Sequence, residues 1–80
     1  MGIETEYAKL YWKIREAILE ICELNQTDSV FNVDIITYLD SNARIINGYF
    51  RVFDLDGIGS MKKHHTGYIF TKNEKFVPMK

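Results

Sequence analysis

The stretch from Asn42 to Phe70 constrains the fold of this chain more than any other. In Asn42-Ala-Arg-Ile-Ile-Asn-Gly-Tyr-Phe-Arg-Val-Phe-Asp-Leu-Asp56 the apolar residues fall in pairs: Ile45/Ile46, Tyr49/Phe50 and Val52/Phe53. That spacing follows the helical period and predicts an amphipathic helix over 43–55, with Arg44, Asn47, Gly48 and Arg51 facing out. Gly57 supplies a helix stop, and Ile58 returns the chain to the core. Beyond this point the period moves toward two. Ser60–Lys63 and Tyr68–Lys72 can pair as a hairpin around His64-His65-Thr66-Gly67, with Gly67 placed to take a positive φ.

The earlier residues supply the body on which that unit rests. Thr5–Leu24 reads as a long helix, because Tyr7, Leu10, Tyr11, Ile14, Ala17, Ile18, Ile21 and Leu24 recur at three- and four-residue spacing. Asn25 to Ser29 breaks it. Val30-Phe31 fits a very short strand, and Asn32 fits an N-cap for a second helix over Val33–Leu39 with Asp34 near its positive end. Asp40-Ser41-Asn42 makes a tight turn in which Ser41 or Asn42 caps the third helix. Phe76-Val77 is expected to add a last edge strand before Pro78.

Eighty residues make one domain, 1–80, with a thin core. The single Cys22 excludes an internal disulfide and reads as a small core hydrophobe. No apolar run approaches membrane-spanning length and the N-terminus lacks a signal pattern, so a cytoplasmic protein is expected. Ile, Lys, Asn, Tyr and Phe have AT-rich codons, which fits a phage, an archaeal virus or another AT-rich genome. Charge is divided along the chain. Residues 1–40 carry 3 basic against 8 acidic side chains (net −5), and residues 41–80 carry 7 against 3 (net +4), which together make the overall −1. An acidic back and a basic front would steer one face toward a polyanion.

The order helix, short strand, helix, helix, hairpin resembles the winged helix-turn-helix family of DNA-binding domains over roughly Tyr7 to Thr71. Three segments carry the resemblance. Phe31-Asn-Val-Asp-Ile-Ile-Thr-Tyr-Leu39 looks like the entry to the helix-turn-helix. Ile46, Phe50, Phe53 and Gly57-Ile58 look like a recognition helix with its exit, and Met61–Thr71 looks like the wing. Two features depart from the pattern: the turn before the third helix lacks the frequent glycine, and Gly48 sits mid-helix. The resemblance implies an α+β domain that reads duplex DNA through helix 43–55 and holds the flanking backbone through wing 60–72.

The residues that would do this are specific. Arg44, Asn47 and Arg51 stand at i, i+3 and i+7, on one side of a helix. Arginine suits the guanine O6/N7 edge and asparagine the adenine N6/N7 edge. Lys62 and Lys63 can neutralise phosphates, with His64, His65 and Thr66 at the tip. Lysines also protect edge strands from aggregation, which is the plainer explanation of that pair. On the back of the first helix, Ala8, Trp12 and Leu19 line up opposite the core stripe, as a homodimer surface would require. The plainer alternative places Trp12 under the C-terminal segment, near Phe76 and Val77.

Catalysis and cofactors are not expected. Gly57-Ile-Gly59 lacks the residues of a phosphate loop, Asp54 and Asp56 match a calcium loop for only three residues, and adjacent His64-His65 point opposite ways on a strand. No metal, membrane or small-molecule ligand is expected either. Two alternatives stand beside this reading. Asn47-Gly48 is a strong hairpin signal, which would make the chain one long helix against an antiparallel meander. Arg44 would then oppose Arg51 across the strands, an unfavourable pairing, whereas the apolar pairs persist over three helical turns. The functional alternative is a protein-interaction module, for example a viral host-takeover factor or inhibitor, acting through the Trp12 ridge or an exposed sheet.

Overall fold

The computed structural model describes the backbone of residues 2–78 and the side chains from Tyr7 to Pro78. Its elements run α1 (Gly2–Asn25), β1 (Ser29–Phe31), α2 (Asn32–Leu39), α3 (Ala43–Leu55), β2 (Gly59–His64) and β3 (Gly67–Lys72). The strands form one antiparallel sheet in the order β1-β3-β2. This is an α+β fold, three helices followed by a C-terminal hairpin, consistent with a winged helix-turn-helix topology. The competing Asn47-Gly48 hairpin does not form, because the paired apolar residues of α3 bury Ile46, Tyr49, Phe50 and Phe53 as one face. No described helix is long and apolar enough to cross a membrane.

The core is built where that face meets α1 and the sheet. Ile14, Ala17, Ile18 and Ile21 of α1 pack with Val30, Ile35, Ile46, Phe50, Phe53 and Phe70. Phe70 is the hub. It lies on the central strand, pairs with Val30 on one side and Met61 on the other, and its ring centroid is 5.3 Å from Phe50, 5.7 Å from Phe53 and 5.7 Å from Phe76. Cys22 is buried, and desolvation raises its thiol pKa above the ordinary value, keeping it a protonated core residue. The apolar stripe expected on α1 is shorter than the sequence implied. Leu24 is 81 % exposed, and Tyr7 is 52 % exposed although one side of its ring stacks on Tyr49 of α3 at 5.4 Å.

All three helices end the same way. In each, paired backbone hydrogen bonds close the last turn: Thr27 N to Cys22 O and Gln26 N to Glu23 O, Ser41 N to Ile36 O and Asp40 N to Thr37 O, Ile58 N to Phe53 O and Gly57 N to Asp54 O. This is the Schellman arrangement, which requires a left-handed residue just past the helix. Gly57 adopts it at φ 78°, but Gln26 (φ 56°) and Asp40 (φ 55°) adopt it with a side chain attached. Left-handed backbone costs an L-residue roughly 1–2 kcal/mol. Gln26→Gly is therefore expected to stabilise the fold by about 0.5–1 kcal/mol, after allowing for the freer unfolded chain. An unchanged urea midpoint would refute it.

Three sequence expectations require correction. Asn32 does not cap α2: Phe31 takes that position without a side-chain bond, and Asn32 is drawn inward. The hairpin loop is only His65-Thr66, and the positive φ falls on His65 (54°) rather than Gly67. Residues 76–77 form no strand. Phe76 instead plugs the core while the Val77 carbonyl accepts a 2.8 Å hydrogen bond from Arg15 Nη2.

Candidate nucleic-acid interface

α3 packs one face on the core and is fixed at both ends. Asn42 Oδ1 accepts from Ile45 N at 3.0 Å, so Asn42 is the residue that caps it. At the other end Asp54 Oδ2 accepts from Met61 N at 2.8 Å, pinning the last turn to the first hairpin strand. Asn73 closes the base of the hairpin onto the same turn, donating to Gly57 O at 3.0 Å while its backbone N donates to Ile58 O at 3.1 Å. The helix and the hairpin therefore form one unit.

On its outer face Arg44, Gly48 and Arg51 are exposed, as the spacing required. Asn47 lies on the same face but is half-buried, and its Oδ1 accepts a 2.8 Å hydrogen bond from Asn32 Nδ2. Its oxygen is thus turned toward Asn32, and the two-point adenine contact expected from sequence is not presented in this arrangement. A Cβ at Gly48 would meet no neighbouring atom within 4 Å. Glycine there is not required by crowding inside the molecule.

The hairpin divides its basic residues between its two faces. Met61 and Phe70 lie opposite each other on the core face, so Lys63 and Tyr68, also paired, share the helix-bearing side. Lys62 pairs with Ile69 on the other face, along with Phe31 and His64. The His64 ring sits edge-on to Phe31 at 5.1 Å and to His65 at 4.4 Å, and all four residues Lys62 to His65 are exposed. Of the two lysines, only Lys63 faces the same side as α3. Lys72 is occupied elsewhere, in a 3.1 Å ion pair with Asp28.

The α1 back is less bare than expected. Ala8 is exposed, but Trp12 and Leu19 are half-buried. Arg15, only 7 % exposed, lays its guanidinium 4.6 Å from the Trp12 ring and 4.7 Å from the Phe76 ring, bonding Tyr11 Oη as well as Val77 O. Leu19 lines an open cleft with Cys22, Thr27 and Pro78. Trp12 is thereby drawn toward the C-terminal segment through Arg15. Among the described residues, no three His, Cys, Asp or Glu side chains converge.

The sequence reading missed the buried amide link between Asn32, Asn47 and Tyr68. Asn32 is 7 % exposed; it donates to Asn47 and accepts from Tyr68 N at 3.2 Å, joining α2, α3 and the wing. Gly67 makes room for it, since a Cβ there would lie 2.7 Å from Asn32 Oδ1. The three residues lie far apart in sequence, so no local spacing announces the link. Comparison with known proteins gives no match: no family model, no curated protein and no solved structure aligns with this chain.

Proposed function

We propose that this chain is a sequence-specific, double-stranded DNA-binding protein and a transcriptional regulator. The observation that carries the reading is the union of an exposed Arg44–Gly48–Arg51 face on α3 with a hairpin clamped to the end of the same helix. A helix of this width fits the major groove, where Arg44 and Arg51 reach guanine edges or phosphates. Lys63 holds the backbone from the side that α3 shares. Lys62, His64 and His65 extend the contact at the wing's other face and tip. Such a protein acts where its DNA is, in the cytoplasm.

A gel shift against random-sequence duplex at 50 and 200 mM salt tests the proposal. About four phosphate contacts would cost on the order of 100-fold in affinity across that range. No shift at low salt would overturn it. The protein-interaction alternative has weaker support, because Trp12 is half-covered and Leu19 is recessed.

Gly48 offers a sharper test. Gly48→Ala should raise stability by about 0.5–1 kcal/mol, since nothing obstructs the methyl group. The same methyl stands where the α3 backbone would meet the groove, so duplex affinity should fall by about tenfold, the equivalent of roughly 1.4 kcal/mol. Greater stability with unchanged affinity would exclude a close approach at this turn.

The proposal includes a homodimer docked through α1, by Ala8 and the open edges of Trp12 and Leu19. Two recognition helices would then address half-sites about 34–36 Å apart. Sedimentation of wild type against Ala8→Glu tests it: a monomeric wild type refutes the dimer.

A further inference from the structure

The amide link behind α3 determines more than packing. The Tyr68 backbone N–H can only donate, so the Asn32 atom facing it must be oxygen. The amino group of Asn32 is then turned toward Asn47, and the Asn47 atom receiving it at 2.8 Å must also be oxygen. What remains of Asn47 is an amino group. It has no partner among the described residues and is not enclosed, and it lies on the face that also bears Arg44 and Arg51. One backbone donor in the wing therefore sets, through two side-chain amides, which end of Asn47 turns outward.

We infer that Asn32 is a positioning residue that fixes the hydrogen-bond polarity of Asn47, making Asn47 a donor-only reader of a base edge that presents acceptors. This rests on the proposed duplex binding. In the major groove guanine presents O6 and N7, and thymine presents O4, whereas cytosine presents only the N4 amine. Adenine offers N7 for a single contact, but its two-point contact needs an outward acceptor as well as a donor, and the Asn47 oxygen is turned toward Asn32. At the base pair under Asn47 the strand being read therefore excludes cytosine, and guanine, with two acceptors and no donor, suits a donor-only amide best.

The relay makes an unusual prediction for a residue that touches no DNA. The carboxylate introduced by Asn32→Asp can accept from Tyr68 N with one oxygen but has no proton for Asn47. The Asn47 amide then turns over, donating inward and presenting its oxygen outward. The preferred base at that one position should change from guanine to cytosine or adenine, the two bases that present an amine. Asn47→Asp reaches the same outcome directly: one carboxylate oxygen accepts from Asn32 and the other faces the groove. It changes a half-exposed position, so it keeps the base-preference test open if Asn32→Asp fails to fold.

The experiment is selection from a random duplex library with wild type, Asn32→Asp and Asn47→Asp. Added negative charge lowers overall affinity in both variants, so the readout is base identity. Both variants should switch the same single position, by about tenfold in preference, with flanking positions retained. A switch with Asn47→Asp alone overturns the relay. No switch with either removes Asn47 from base reading. A wild type that enriches no duplex overturns the proposed function, and the base preference with it.

Side-chain amide exchange by NMR, measured on the free protein, examines the relay apart from DNA. The Asn32 amino protons should exchange slowly and those of Asn47 fast, and Asn32→Asp should slow the Asn47 pair. Fast exchange at Asn32, or no change at Asn47, would refute the inference whatever the duplex experiment gives.

Discussion

Under the proposed duplex binding, replacing both Arg44 and Arg51 by glutamate is expected to abolish binding while leaving the fold intact. Both side chains are exposed, and no hydrogen bond or ion pair to another described residue ties either down. Surface changes of this kind usually move stability by no more than about 0.5 kcal/mol. The effect on binding is of another order. Each arginine contact with a base edge or phosphate contributes roughly 1–3 kcal/mol, and the introduced carboxylate adds repulsion from the phosphates. The double reversal should weaken binding by about 100-fold or more at low salt. Fluorescence anisotropy with a labelled duplex, run beside a urea melt of the same sample, separates the two effects. Retained affinity would remove α3 from the interface and return the chain to the protein-interaction reading.

Phe70→Ala is the change most damaging to the fold. Phe70 is fully buried on the central strand, between the rings of Phe50, Phe53 and Phe76. Truncating a core phenylalanine costs about 3–5 kcal/mol, through lost transfer free energy and the cavity left behind. A domain of 80 residues has a total stability of roughly 4–12 kcal/mol, at about 0.05–0.15 kcal/mol per residue. The variant should therefore lose a large share of its folded population or melt far below wild type. Thermal circular dichroism reads this directly, and a melting temperature within a few degrees of wild type would contradict the central role given to Phe70.

Much of the architecture was legible because it rests on local periodicity. The three apolar pairs in 45–53, the glycine at 57 and the change of period at 59–72 each act over a few residues, and each element formed there. The capping role of Asn42 is likewise a three-residue event. The expectations that failed depend on distant neighbours. Asn32 has the right chemistry for a cap, but a buried position 15 residues from Asn47 offered its amide two partners at once. Phe76 has a strand former's side chain, yet the space beside Phe53 and Phe70 takes its ring as a core plug. Arg15 is buried because the C-terminal segment, far away in sequence, supplies a carbonyl and a second aromatic surface.

The candidate interface divides in the same way. Arg44 and Arg51 project outward because the opposite side of an amphipathic helix must be buried, and that is a property of the residues and the helical period alone. Whether Asn47 presents a donor or an acceptor is not. Its carboxamide can face either way, and the choice is made by a backbone N–H in a strand that reaches it only when α2, α3 and the wing are packed together. The two lysines were separated by the pairing of β2 with β3, whose alternation sends Lys63 and Lys62 to opposite faces. The helical period and the glycine stop at 57 belong to the sequence. Hydrogen-bond polarity and strand facing arise from contacts between residues far apart along the chain, so they belong to the folded molecule.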